Sequence, residues 1–105
     1  MSEPALTIFR SRLRPEARDE YVLWAERMDR LARQMPGFVG IKTFKAADGE
    51  RVSIVEFASD AESLAWRQQP EHLEAQRLGR DRFYAEYEVI VCRPLRRYTF
   101  LSPPP

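Results

Sequence analysis

The chain has one cysteine, one histidine and no asparagine, and only four glycines in 105 residues. The lone Cys92 excludes an intramolecular disulfide framework. Cys92 and His72 are too few for a self-contained zinc or iron site, which draws on three or four protein ligands. An excess of one charge sign is also missing. Lys plus Arg number 17 and Asp plus Glu 16, a net charge of +1, with the two signs interleaved along the chain. That balance gives no electrostatic footprint for nucleic acid. No apolar run approaches the ~20 residues of a membrane span. The opening "MSEPALTIFR" lacks the basic and apolar regions of a signal peptide. The expectation is a soluble, cytoplasmic protein with neither nucleic acid nor membrane as partner.

What is present reads as one domain over 1–105, with a core of about 5–100 and an expected disordered tail at 101–105, where three of the eight prolines lie. "ALTIFRSRL" (5–13) has the β-branched and aromatic content of a strand. Pro15 then suits a helix start, with Glu16, Asp19 and Glu20 near its positive end. Tyr21, Trp24, Ala25, Met28, Leu31, Ala32 and Met35 follow at steps of three and one, the mark of one helical stripe. Pro36-Gly37 ends that helix. Strands are expected over 38–46 and 51–57, joined at Asp48-Gly49 by a type I′ turn. Ser59 and Glu62 have capping-box spacing and open a short helix. Pro70 breaks it and starts another over about 71–86. "YEVIVCRPLRRYTF" (87–100) is expected to be the last strand, kinked at Pro94.

The order β-α-β-β-α-α-β, with a right-handed crossover, predicts an α+β ferredoxin-like sandwich: a four-stranded antiparallel sheet with helices on one face. The strands are apolar on both sides. Val39 and Ile41 oppose Phe38 and Phe44; Val52 and Ile54 oppose Val55 and Phe57; Val89 and Val91 oppose Ile90 and Cys92. A half-solvated sheet alternates apolar with polar residues. The helices can cover only one face, so the other requires a cover, and a second copy meets that need. A homodimer, sheet against sheet, is therefore expected. Ser53 and Glu56 are the polar exceptions, marking either its rim or a pocket.

One stretch carries a resemblance: Trp66-Arg67, Glu71-His72, Ala75-Gln76, Gly79-Arg80, Phe83-Tyr84 and Tyr87, together with the earlier "PGFVGIKTFK". Over roughly residues 5–100 the sequence resembles the antibiotic biosynthesis monooxygenase domain family, within the dimeric α+β barrel superfamily. The resemblance implies a ferredoxin-like protomer and a dimer closed through the two sheets. Some members of that family oxidise polycyclic phenols or quinols with dioxygen and no cofactor, and others cleave haem. The haem-degrading relatives pair a first-strand asparagine with a tryptophan and, ten residues on, an iron-ligating histidine. Trp66 matches the tryptophan. Gln76 stands where the histidine would be, and the first strand has no asparagine.

Cofactor-free oxygenation, which the resemblance implies, needs a dry aromatic pocket, a base that titrates near neutrality and a donor for the developing charge. His72 is the one side chain whose ordinary pKa lies there, and its place near a helix start favours neutral imidazole. Its other reading is a histidine bonded to the backbone or to Glu71. Trp66 either stacks on a flat substrate or seats the short helix on the sheet. Gln76 is a candidate holder of a substrate oxygen. Trp24 and Met28 are candidates for the opposite pocket wall, a stripe that is ordinarily core; Phe83 is a candidate ligand contact, and Tyr84, next to it, is a candidate hydroxyl donor or an amphipathic rim residue. His72, Gln76, Gly79 and Phe83 would share one helix face. Arg80 and Arg82 could stabilise a phenolate or form a solvated ion-pair set, and Cys92 reads as a small buried hydrophobe.

The expectation is a cofactor-independent monooxygenase acting on a small or polycyclic aromatic phenol or quinol. A non-catalytic dimeric module binding a small hydrophobic ligand is the alternative, and a haem-binding or haem-degrading protein the third reading.

Overall fold

The computed structural model describes residues 3–105. Strand β1 (Ala5–Leu13) leads through a 3-10 turn at Pro15–Ala17 into helix α1 (Arg18–Arg33). Strands β2 (Phe38–Lys45) and β3 (Arg51–Phe57) follow, then α2 (Asp60–Arg67), α3 (Pro70–Leu78), a π turn at Gly79–Phe83, and β4 (Tyr84–Cys92). The sheet is four-stranded in the order β2-β3-β1-β4, with every neighbouring pair antiparallel. This is the ferredoxin-like α+β arrangement. No helix among the described residues is long and apolar enough to cross a membrane.

Local chemistry explains most of the boundaries. Helix α1 ends at Arg33, and the chain turns into β2 at Gly37, which takes φ +79°, a conformation that costs a glycine little. A Cβ there would also run into the Glu62 carboxyl group. Glu62 is held by Ser59, whose hydroxyl accepts from the Glu62 backbone N–H and donates to its carboxylate at 3.0 Å. That contact caps α2 and pins it against the start of β2.

Four expectations need correction. The β2–β3 turn is not type I′. Among the described residues only Gly37 and Gly49 have positive φ, so Asp48 does not take the required conformation. The Gly49 N–H donates to the Ala46 carbonyl, and the Ala46 N–H to that of Glu50. This is a three-residue loop, a type I turn closed by a left-handed glycine. Second, β2 carries a bulge at Val39. Phe38 pairs with Phe57 but Gly40 with Glu56. The extra residue reverses the alternation, so Phe38 packs with Ile41 in the core and Val39 is exposed. Third, the second long helix stops at Leu78 rather than continuing to about 86. The Tyr84 N–H bonds to the Gly79 carbonyl five residues back, and Tyr84 already begins β4. Fourth, β4 ends at Cys92, before Pro94, and residues 93–105 form no regular element. β4 is an edge strand, so Cys92 is half-buried there rather than the buried hydrophobe expected.

The core is divided. One cluster gathers Ala32, Val55, Phe57 and Trp66 beneath the C-terminal half of α1, with Met28, Met35, Phe38 and Ile41 against it. The other gathers Ala17, Leu78 and Phe83 beneath its N-terminal half, with Tyr21, Trp24 and Tyr84. Between the two clusters the helices and the sheet do not close on each other.

Candidate functional site

The gap between the two clusters is a cavity of about 320 Å³, within the range of small-molecule sites. Alternation along the strands sends Thr7 and Phe9, Thr43, Ser53 and Val55, and Val89 and Val91 to its floor. The α1 stripe supplies the roof through Tyr21, Trp24 and Met28. Trp66, His72 and Gln76 stand at one end, and Phe83, Tyr84 and Tyr87 at the other.

His72 lies in the first turn of α3, directly after Pro70 at the helix start. Gln69 caps that turn, its side-chain oxygen accepting from the His72 backbone N–H at 2.8 Å. The imidazole stacks on the Trp66 indole with centroids 4.0 Å apart and planes 12° from parallel. Its Nδ1 lies 3.0 Å from the Trp66 carbonyl oxygen. A carbonyl can only accept, so Nδ1 carries the proton and Nε2 of the neutral ring keeps its lone pair. Burial pushes the His72 pKa below its ordinary 6.5. The Trp66 carbonyl opposes that shift and the nearby Arg67 charge adds to it. Neutral imidazole is therefore the resting form at pH 7. The backbone bond foreseen for a structural histidine and the free ring nitrogen needed by a base are present together. Glu71 is bound elsewhere, to Arg27 at 2.5 Å.

Trp66 is both wall and core: it is 8% exposed, belongs to the first cluster and lines the cavity. Gln76 lines the cavity but commits one amide N–H to the Arg67 carbonyl at 2.8 Å, tying α3 to the end of α2. An amide so engaged at the position of the haem relatives' histidine does not suit an iron ligand. Among the described residues no three His, Cys, Asp or Glu side chains gather as a metal-binding group.

Phe83 and Tyr84 reach the site by a route that helical spacing does not describe. The π turn carries Phe83 into the second cluster, 2% exposed. Tyr84 lies at the start of β4, its ring packed edge-on to Phe9 (5.3 Å), Tyr21 (5.9 Å) and Tyr87 (5.6 Å). Gly79 makes room for it, since a Cβ at that position would sit 2.6 Å from Tyr84 Cε2. Burial, and then the neighbouring Tyr21, push the Tyr84 hydroxyl well above its ordinary pKa of 10.0, so it remains a neutral donor. π turns inserted beside helices are frequent at functional sites.

Several lining residues were not legible in sequence. Phe9, Thr7, Thr43 and Tyr21 join the site only through strand pairing and helix docking. Ser53, a polar exception in its strand, belongs to the cavity: its hydroxyl bonds that of Thr43 at 2.7 Å on the floor. Glu56 lies on the opposite face and meets Arg97 at 3.3 Å. Arg80 and Arg82 do not line the cavity. Arg82 pairs with Glu20, and Arg77 with Glu74 and Asp81, a solvated ion-pair set.

Fold and site together define a class: a ferredoxin-like α+β protein with an aromatic cavity between its helices and its sheet. The chain belongs to the antibiotic biosynthesis monooxygenase family, whose sequence model matches residues 4–78. A Bacillus subtilis (strain 168) protein, YqjZ, is 32% identical over 97 residues, covering 92% of this chain and 85% of that one. Among solved structures, Rv0793 from Mycobacterium tuberculosis superposes with a TM-score of 0.81 at 24% identity, covering 91% of this chain and 99% of that one. SnoaB from Streptomyces nogalater, described as a cofactor-independent oxygenase, does so with a TM-score of 0.78 at 17% identity, covering 96% and 100%. At these identities the structural likenesses establish the fold alone.

Proposed function

We propose that the protein is a cofactor-independent monooxygenase that oxidises a small or polycyclic aromatic phenol or quinol with dioxygen, and that His72 is its general base. The observation that carries this reading is a neutral imidazole, with Nε2 unprotonated, in an aromatic-lined cavity. Family membership supports it.

A phenol entering the cavity lies flat between the α1 roof and the sheet floor, with Trp66 at its edge. His72 Nε2 takes the phenolic proton. The aryl oxide then gives an electron to dioxygen, and the resulting pair recombines at a ring carbon as a hydroperoxide. Loss of water leaves a quinone. One oxygen atom enters the ring, the other leaves in water, and the phenol supplies all the electrons. The Ser53–Thr43 hydroxyl pair on the floor is the neutral donor available to the developing charge.

The reading includes a homodimer. On the face away from the helices, register aligns Ile54, Ile8 and Ile90 in one row across three strands. Leu6 and Cys92 lie beside that row on one side, and Val52 and Phe44 on the other. Ile54 and Ile90 are about 40% exposed in the protomer. Arg10, held by Glu50 at 3.0 Å, stands at the edge of the patch. An apolar centre with a charged rim suits a second copy of the same face across a two-fold axis.

The test is oxygen uptake by metal-free protein given dihydroxynaphthalenes and related phenols, with chelator present. The expected result is chelator-resistant uptake, one dioxygen per quinone formed, that falls by about 10²-fold or more in His72→Ala. Binding of the phenols without uptake would replace the enzyme with the ligand-binding module. Uptake unchanged in the variant would retain the enzyme and discard His72 as its base.

A further inference from the structure

Arg51 is a guanidinium that the proposed reaction leaves without a task. It begins β3 and, two residues before Ser53, faces the helices. Among the described residues no carboxylate lies within ion-pair distance of it, and its buried Nε has no hydrogen-bond acceptor. It lies instead over the Tyr21 ring, with Cζ 5.3 Å from the centroid. Its charge reaches the Tyr84 hydroxyl and partly offsets the upward shift there.

The surroundings give that charge a direction. Arg51 lines a groove beside α1 whose residues Tyr21, Ala25 and Asp29 also line the cavity, so the groove and the cavity adjoin along α1. Two acids border the groove, Glu26 and Asp29, and Asp29 is already paired with Arg33 at 2.8 Å. With Asp29 neutralised by Arg33, the groove lining keeps Arg30 and Arg51 against the single acid Glu26. Trp66, which stacks on His72, packs with Val55, and Arg51 stands four residues from Val55 along β3, about 13 Å of strand. A neutral base thus lines one end of the cavity, and an unpaired cation borders the Tyr21 and Tyr84 end.

We propose that Arg51, with Tyr21 and Tyr84 beside it, is a subsite for an anionic oxygen of the ligand, a carboxylate on an aromatic acid whose hydroxyl lies at His72. Such a ligand is a hydroxylated aryl carboxylate rather than a neutral phenol. A guanidinium offers paired donors matched to a carboxylate, and partial burial strengthens the bond. The inference deepens the proposed function and rests on its assignment of the cavity as the ligand site.

The experiment is calorimetric titration of the protein at pH 7.5 with three probes: 2-naphthol, 6-hydroxy-2-naphthoate and the methyl ester of the latter. A charged hydrogen bond of ordinary strength makes the carboxylate bind about tenfold more tightly than the other two. Arg51→Gln is expected to abolish that preference while leaving 2-naphthol binding unchanged, and Arg51→Lys to keep part of it. The ester comparison uses unaltered protein, so it decides the matter even if a variant fails to fold. Equal affinities for acid and ester, or a preference that survives Arg51→Gln, would overturn the subsite and leave the cavity assignment standing. No binding of any probe would overturn both.

Discussion

Trp66→Ala separates the two duties of the indole, and both consequences follow from the structure. Trp66 is buried against Ala32, Val55 and Phe57. Removing it leaves a void that the sheet and α1 can only partly close, at a cost of ~3–5 kcal/mol. That is a large share of the ~5–15 kcal/mol by which a domain is stable. The second consequence concerns His72. Its pKa is depressed first by burial, and the stacked indole is the nearest part of its cover. Replacing the indole with a methyl group admits water to the imidazole and lets its pKa rise toward 6.5. Trp66→Phe keeps an aromatic surface and should show a smaller change in both quantities. Urea unfolding followed by circular dichroism measures the first effect. Proton NMR measures the second without ambiguity, because the chain has one histidine. An unshifted histidine pKa in a folded Trp66→Ala protein would refute the claim that this stack keeps the imidazole dry.

Ile8→Glu places a charge in the middle of the open-face row; if the proposed dimer forms through that face, sedimentation should show a species of 12.3 kDa for the variant and one of twice that mass for the native chain. Gly79→Ala should displace the Tyr84 ring, since the new Cβ would lie 2.6 Å from it; the readout is weaker binding of 2-naphthol, with stability changed by only ~1–3 kcal/mol as strain offsets the gain in helix propensity. The lowered His72 pKa sets a sign for acid stability. Unfolded His72 takes up a proton near 6.5 while the folded ring does not, so its contribution is complete above pH 6.5 and is lost as pH falls from there through the folded value. Urea midpoints should therefore decline over that interval, and the decline should be smaller in His72→Gln.

β1, α1 and the start of α2 were legible because their signals are local. β1 ends where its β-branched run ends, α1 follows its apolar stripe, and Ser59 opens α2. Elsewhere the sequence misled where one pattern served two structures. Gly79 and Phe83 continue the helical spacing of His72 and Gln76, yet the chain leaves the helix at Gly79 by a π turn that no periodicity announces. The Val39 bulge is likewise invisible until β2 is paired with β3, and it decides which phenylalanine is core. For the site, the α1 wall and the Trp66–His72 end could be read from residue type and position. The floor could not, because Thr7, Thr43 and Ser53 belong to three strands that only the sheet register brings together. Nothing in the sequence singles out Arg51, because only the fold shows that no carboxylate among the described residues pairs with it.

The most direct test of a neutral His72 acting as base is a pair of titrations on one sample. Oxygen uptake with a dihydroxynaphthalene is measured against pH in the metal-free protein, and the histidine resonance is followed over the same range. The account predicts an acid limb in the rate that coincides with the His72 pKa, below 6.5, and that disappears with His72→Ala. A limb displaced from the histidine titration, or one that persists in the variant, would contradict it.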